Sequence, residues 1–402
     1  MSLDLTRVAG QVGEMLSRLK AGLNERQAHL QSALETARSQ SDDIDKLRNK
    51  IAASAGKTTF LVADLVNGLD LHYPPPPLPA EFTVIATDGS HIDVDRHRST
   101  RCYLLNISSI MLRYGANPDA VLESRPSLYA SDEDLVVAPS GGEKGREQFV
   151  EGALLGIKRG VDECKRLAEL AAELPKGSSS LALLDGSLIL WGLEAFPEFV
   201  TETMLDKGFL TCLSQIKKLN KDKKLALASY ISYPRSTDVV NALRVAVCPF
   251  EPPDCDIHCP SGQKRGCEAV AGVQDRDLFS ALLAQGQRSA LFISQSSVNR
   301  KRYGEHRVYF FYLRADDEIA RVEIPQWVAT DKNLLNLTHG LVLDQCRRGQ
   351  GYPVALSEAH EQAVVTMADR ENFWALVEAS LVDEKMPNPS SGKSQSKRMR
   401  WV

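Results

Sequence analysis

No run of apolar residues in this chain approaches the roughly 20 that a bilayer crossing needs, and no N-terminal segment has the basic, apolar and small-residue order of a secretory signal. These two absences predict a cytoplasmic protein without a membrane partner. A net positive charge is also missing. The formal charge is −4 at neutral pH, so an average patch of surface repels phosphate and any nucleic-acid binding has to come from local basic clusters. None of the eight cysteines stands in a Cys-x-x-Cys pair, which sets the chain apart from zinc ribbons. Proline is absent from the first 56 residues, so nothing there interrupts helix.

What is present is an ordinary globular composition. The 402 residues are 43% apolar and 25% charged, enough for one large domain with appendages or for two domains. Residues 1–72 read as a helical arm, with Leu16, Leu19, Leu23, Leu30, Leu34 and Ile44 at helical spacing in one long or two shorter helices. Its apolar stripe wants a partner, either the rest of the chain or a second copy in a homodimer. Residues 73–80 hold Pro74, Pro75, Pro76, Pro77 and Pro79, a stiff polyproline linker that leads into an α/β domain over 81–385. From 386 to 402 the chain is polar and basic and reads as a disordered tail.

Two β-prone runs carry the chemistry. Leu181 to Leu184 is followed by Asp185-Gly186-Ser187, and Phe82 to Thr87 by Asp88-Gly89-Ser90. Asp-Gly is a common turn dipeptide, and one such pair after a strand is usually only a turn. Two of them after apolar strands ask for more, because a carboxylate at the end of a buried strand is costly unless it is paired or bound to a cation. If the strands are parallel neighbours, Asp88 and Asp185 emerge together at the carboxyl edge of the sheet, where α/β folds place ligands.

A third acid follows from heights. The pattern from Arg146 to Leu174 is helical and precedes the strand at Leu181. That strand climbs about 15 Å, and a helix returning at about 1.5 Å per residue uses about ten residues. Counting back from Glu173 lands on Glu163, with Glu151 and Glu147 as fallbacks if the helix breaks near Gly160.

Elsewhere the reading is coarser. Cys102 to Arg113 is an expected strand antiparallel to the first, and Ser131 to Gly145 a loop. A helical stretch runs to Leu219, followed by the basic turn of Lys217, Lys218, Lys221, Lys223 and Lys224 and a strand over Leu225 to Ile231. Just past that strand, Tyr233 and Arg235 are placed to grip phosphate. Arg300, Lys301 and Arg302 form a second basic cluster beside Tyr303, a nucleic-acid contact or a solvated face. A strand at Ala290 to Ser294, a hairpin of Arg307 to Leu313 with Ile319 to Ile324, and a helix from Leu334 to Arg348 lead to His360, near the start of a last helix. There it could act as a general acid or base or as a ligand. Cys248, Cys255, Cys259 and Cys267 fall within a cysteine-rich insertion over 248–267, and four such thiolates suit tetrahedral zinc or an iron–sulfur cluster.

As a set, the two strand-borne Asp-Gly-Ser segments, the helix with Glu163, Ser232-Tyr233-Pro234-Arg235 after a strand, and Tyr352-Pro353-Val354-Ala355-Leu356-Ser357-Glu358-Ala359-His360 resemble the NurA nuclease family over most of residues 80–375. The resemblance implies an α/β fold with a ribonuclease H-like mixed-sheet core and a manganese-dependent nuclease acting on DNA ends and single strands. It further implies a homodimer fed by a HerA-type hexameric ATPase in end resection and double-strand break repair, here read as a 5′–3′ exonuclease with single-strand endonuclease activity. By motif match Asp88, Glu163 and Asp185 would hold the metal and His360 would assist. Oxygen ligands suit Mg²⁺ or Mn²⁺, and a nearby imidazole favours Mn²⁺. The cysteine-rich insertion is not part of the family pattern. Two rivals stand beside this reading: a ribonuclease H-like nuclease for RNA or hybrids, since acids do not read the sugar, and a non-catalytic adaptor for DNA ends or an ATPase.

Overall fold

A computed structural model describes residues 3–40, 43–95, 98, 100–139, 146–259 and 265–386. The chain divides into two units, Met1–Pro75 with Ser232–Ser297 and Tyr309–Val322, and Pro76–Ile231 with Val298–Val308 and Glu323–Val402. The basic tail lies, from residue 387 on, outside the described residues, as do residues 140–145 of the expected loop.

In the first unit the arm forms two helices, Leu5–Ser39 and Ile44–Ala53. Asp4 and Asp43 start them by accepting the backbone N–H of Arg7 and Lys46. Only the end of the long helix is covered: Ala33, Leu34 and Ala37 are buried in a core shared with Val239, Leu243, Val270 and Phe279, whereas Leu16, Leu19 and Leu23 are exposed. In place of the single strand expected over Ala290 to Ser294 there are two short ones, Arg288–Ser289 and Phe292–Ile293, the latter paired with Asp64–Leu65 and with the strand Val308–Ala315. Phe279 stacks on Tyr312 with centroids 4.5 Å apart.

Beneath that stack lies Asp275, with no exposed surface. It accepts the N–H groups of Val239 and Val240 at the start of helix Asp238–Ala246, at 3.1 and 2.8 Å, and the Tyr312 hydroxyl at 2.7 Å. Beside it Arg321 pairs with Asp238 at 3.0 Å.

Among the described residues, the sheet of the second unit is built on β1 Phe82–Ile92, β2 Tyr103–Tyr114, β3 Asp119–Tyr129, β4 Ser180–Asp185 and β5 Leu225–Ile231. They lie in the order β5-β4-β1-β2-β3. β1, β2 and β3 form an antiparallel meander, and β4 is parallel to β1 on one side and β5 on the other. The central strands are apolar and buried almost throughout, as strands covered on both faces must be. β3 is an exposed edge strand that hydrophobicity alone did not mark.

Helix α1, Ala153–Glu173, buries Leu155, Cys164, Leu167 and Ala171 against Ile85, Leu105 and Ala182. It starts seven residues later than its pattern suggests, because Gln148–Phe149 pairs with Val136–Val137 as a short strand and Gly152, at φ +55°, makes the turn into the helix. The stretch to Leu219 is not one helix but a series ending in an eight-residue π-helix, Glu202–Phe209, and Leu210–Leu219. Helix α2, Lys332–Arg348, meets the polyproline segment at Gly340, where an added Cβ would stand 3.2 Å from Leu78 and 3.3 Å from Pro76. Helix α3, Val354–Ala363, packs on β1 and β2.

Burial, with the charge of Asp238 adding, pushes the Asp275 carboxyl up to about 6. Its ordinary value is lower, so the folded state binds the proton more tightly than the unfolded chain. The contribution to stability is full below the unfolded value and is lost as the pH rises through about 6. Urea titrations of wild type and Asp275→Asn between pH 4 and 7 should therefore diverge, the wild type losing up to about 1.4 kcal/mol per pH unit relative to the variant. Parallel curves would refute the assignment.

Candidate active site

The register of β1 against β4 sets the site. Thr83 pairs with Ser180 and the ladder continues to Thr87 with Leu184, which places Asp88 and Asp185 at the same height on adjacent parallel strands. The two Asp-Gly-Ser segments are nonetheless different structures. Asp185 is the last residue of its strand, and Gly186 turns the chain away at φ +80°. Asp88, Gly89 and Ser90 are ordinary strand, because β1 keeps pairing with β2 as far as Ile92. The first segment is thus no turn at all.

Gly89 matters for lack of a side chain. A Cβ there would stand 2.8 Å from Glu163 Oε1 and 3.0 Å from Arg159 Cγ, so the glycine opens the space that Glu163 fills from α1. Thr87, on the same face of β1, donates its hydroxyl to the Glu163 carbonyl at 2.9 Å and fixes this level of the helix. Successive strand residues point to opposite faces. Asp88 therefore points away from α1 and toward α3, where His360 Nδ1 lies 3.0 Å from Asp88 Oδ2. His360 sits in the second turn of its helix rather than at its start.

Polar side chains of β1 and β2 hold α3 in place. Ser108 donates to the carbonyl of Ala359 at 2.6 Å, Asn106 to that of Ala363 at 3.0 Å, and Ser90 to Ala363 as well. The loop after Asp185 is held with equal care: Glu323 accepts the Ser187 hydroxyl at 2.8 Å and the Leu188 N–H at 2.9 Å, and Tyr303 donates to the Leu188 carbonyl. Tyr352, from the turn between α2 and α3, donates its hydroxyl to Asp185 Oδ1 at 2.9 Å. Ser108, Asn106 and Glu323 carry no mark in the sequence, since each is defined by a partner far along the chain, and Tyr352 stands there only as the first residue of the segment that leads to His360.

Glu163 and Asp88 have side chains only 12% and 13% exposed, whereas His360 is open at 67%. Burial pushes Glu163 up to about 8; Arg159, at 3.0 Å, opposes the rise, and the charges of Asp88 and Asp185 add to it. Asp185 is raised by burial and by Asp88, against the pull of the Tyr352 hydrogen bond. Glu163 Oε1 is buried and, despite its ion pair with Arg159, has no aligned hydrogen bond. An all-oxygen acid set with an orphaned buried oxygen and raised carboxyls fits a hard divalent cation. Among the described residues, however, no group of three or more His, Cys, Asp or Glu side chains is already closed into a ligand set. Asp88 and Glu163 approach from opposite faces of β1, which accounts for the open arrangement.

The other sequence candidates fall elsewhere. Glu151 and Glu147 are exposed ahead of α1. Tyr233 and Arg235 are exposed residues of the first unit, and the Arg276 guanidinium covers the Tyr233 ring at 3.6 Å. On helix Ser297–Arg302, Arg300 and Lys301 are exposed, but Arg302 is bound to Glu198 and to Asp206. Lys223 is buried and donates to the carbonyls of Ala171 and Ala172 at the end of α1, so it is no part of a basic groove. Cys248, Cys255 and Cys259 are half-buried free thiols, while Cys267 is turned inward with Arg244 3.7 Å from its sulfur. These four do not form a ligand set among the described residues, and the expected zinc or iron–sulfur centre is not seen in their arrangement.

A mixed sheet that gathers acids and a histidine at the carboxyl ends of its parallel strands defines an α/β protein with a carboxylate site of the kind used in metal-assisted chemistry. Residues 82–365, more than half of the chain, match the NurA domain. The chain belongs to the NurA family, and that membership implies a nuclease and a divalent metal. The match opens on the first residue of β1 and closes just beyond α3. No curated protein matches the chain. Among the described residues, no helix is long and apolar enough to cross a membrane.

A cation that takes Glu163 as a ligand must displace its proton at neutral pH. Because this carboxyl is raised to about 8, Mn²⁺ binding at pH 7 should release close to one proton, and affinity should climb up to about tenfold per pH unit until pH 8. Calorimetry in buffers of different ionisation enthalpy measures the proton directly. Glu163→Gln should abolish the release.

Proposed function

We propose that this protein is a divalent-metal-dependent nuclease that cleaves DNA. The observation that carries the proposal is the register of β1 and β4, which sets Asp88 and Asp185 side by side with Glu163 and His360 against them, in a chain of the NurA family. The β3-β2-β1-β4-β5 order, an antiparallel meander extended by two parallel strands, supports a ribonuclease H-like core.

Asp88, Asp185 and Glu163 would hold the metal. When bound, Mn²⁺ or Mg²⁺ supplies Lewis-acid polarisation of the phosphodiester and eases deprotonation of water. The chain's own residues supply orientation and proton handling. The Asp88 carboxylate accepts from His360 Nδ1, which keeps a proton on that nitrogen and leaves Nε2, on an exposed ring, to hold or move a proton at the substrate. Exposed Arg300, Lys301, Tyr233 and Arg235 are the proposed contacts to the nucleic-acid backbone and bases. In finer terms we propose a 5′–3′ exonuclease with single-strand endonuclease activity, manganese-preferring, homodimeric, and working with a HerA-type hexameric ATPase in end resection and double-strand break repair. Family membership supports this finer reading.

Cleavage of end-labelled single- and double-stranded DNA, RNA and hybrid duplexes in Mn²⁺, Mg²⁺ or EDTA tests it. DNA products that need metal are expected, with Asp88→Ala and Asp185→Ala reduced to background and His360→Ala slowed by about 10²–10⁴. Circular dichroism should show all three variants folded. Cleavage confined to RNA or hybrids would replace the DNA reading, and a fully active Asp88→Ala/Asp185→Ala protein would end it.

A further inference from the structure

An aromatic ring stands in solvent beside the carboxylate edge, on a loop that is otherwise pinned. We propose that Trp191 is a base-stacking residue, its indole face receiving a base of single-stranded DNA as the strand approaches Asp185 and Glu163. The proposal rests on the nuclease reading above and adds to it a contact to a base close to the acids.

An exposed tryptophan by itself says little, because isolated apolar side chains on a surface are ordinary. What distinguishes Trp191 is how it is held. The chain that leaves β4 after Asp185 buries Leu188, Ile189 and, past the tryptophan, Leu193. Buried Tyr303 clamps it, donating to the Leu188 carbonyl at 2.8 Å and accepting the Leu190 N–H at 3.0 Å. Flanked by these anchors, Trp191 keeps 47% of its surface exposed. Its one polar atom is engaged: Nε1 donates to Ser187 Oγ at 3.2 Å, and Ser187 donates in turn to Glu323, a carboxylate only 1% exposed. Two hydrogen bonds in series therefore tie the indole to a buried acid and orient the ring. The fold gains little from that arrangement, since burial of an aromatic ring is normally among the larger contributions to stability.

The place of the ring is fixed as well. At Gly192 an added Cβ would stand 3.3 Å from Ile157, so the chain beside Trp191 lies directly on α1. That helix begins beside the carboxyl end of β1, where the Gly152 N–H meets Asp93 at 2.9 Å, so residues ahead of Glu163 lie beyond the acids. Ile157 precedes Glu163 by six residues, about 9 Å of helix. A strand with one phosphodiester at the acids reaches that level about two or three nucleotides away, at about 3.4 Å for each stacked step. Every base has a flat π face, so a ring in this position holds single strands without reading their sequence. A duplex keeps its bases stacked inside and offers the ring only an end pair.

The test is binding of a short labelled oligothymidylate to the full chain in EDTA, followed by anisotropy, beside an abasic oligomer of the same length and charge. Wild type, Trp191→Phe and Trp191→Leu are compared, and metal-dependent cleavage by wild type is measured in parallel. Trp191→Leu should weaken oligothymidylate binding by about 5–150-fold and leave abasic binding unchanged, because only the first oligomer has bases to stack. Trp191→Phe should keep most of the affinity, while the tryptophan quenching seen when wild type binds falls away. Equal losses on both oligomers would overturn the proposal and make Trp191 a structural residue. Oligothymidylate binding by Trp191→Leu at wild-type strength would overturn it too, as would a wild type that holds both oligomers equally; cleavage by wild type then leaves the nuclease reading standing. If wild type binds oligothymidylate through Trp191 but cleaves nothing in Mn²⁺ or Mg²⁺, the stacking contact stands and the nuclease reading falls. A wild type that binds neither oligomer overturns the proposal, and with no cleavage it overturns the nuclease reading as well.

Discussion

Parallel pairing of β1 with β4 forces two aspartates to the same height at the edge of one sheet, and most of the second unit answers that constraint. Carboxylates brought together in a half-buried site repel one another and lose hydration, which is why Asp185 and Glu163 both sit above their ordinary values. Apolar burial on both sides supplies the stability that lets such a site persist. The residues ahead of the acids, Val84, Ile85 and Ala86 in β1 and Leu181 to Leu184 in β4, are buried, and α1 seals one face with Leu155, Leu167 and Ala171. A carboxylate edge of this kind is unfavourable locally and is held by the core behind it.

The opposite face of β1 and β2 is polar for a related reason. Ser90, Asn106 and Ser108 would be unfavourable beneath a helix unless each found a partner, and each finds a main-chain carbonyl of α3. Hydrogen bonds aimed at specific carbonyls fix a helix along its axis more tightly than an apolar contact does, since apolar surfaces slide and donors do not. The axial position of α3 decides whether His360 reaches Asp88. A run of small polar residues in the middle of a strand is here the device that places an imidazole.

How much of this could be read from the chain alone varies with the range of the interaction. The runs leading to Asp88 and Asp185, and the helix over Glu163, are local patterns and their elements exist where periodicity puts them, but two boundaries move: β1 continues four residues past Asp88 and α1 starts seven residues late. Counting rise along strand and helix points to Glu163, and the structure places that residue at the level of Gly89, because both elements are regular. The exposed strand Asp119–Tyr129 has no apolar alternation to betray it; it exists because β2 has an edge to be paired. Residue identity misleads where chemistry is real but already spent. Lys223 looks basic and is a helix cap, Arg302 looks free and is held by two acids, and four clustered cysteines look like a metal centre while Cys267 faces the core beside Arg244. The contact of Tyr352 with Asp185 is legible only in three dimensions, since the two lie 167 residues apart.

The repeated Asp-Gly-Ser shows how one short motif serves two physical ends. In the second copy the glycine is needed for its backbone: Gly186 adopts φ +80°, and the chain leaves the sheet there. In the first copy the backbone is plain strand and any residue could adopt it, so the glycine is needed for its missing Cβ, which opens a path for Glu163 past β1. The consequence is directional. Asp185 reaches the edge because its strand stops, whereas Glu163 reaches it because a strand that does not stop has been thinned at one residue. Acids from opposite faces of β1 can meet only at such a thinned point, and the separation that remains between them is what a bound cation would have to close.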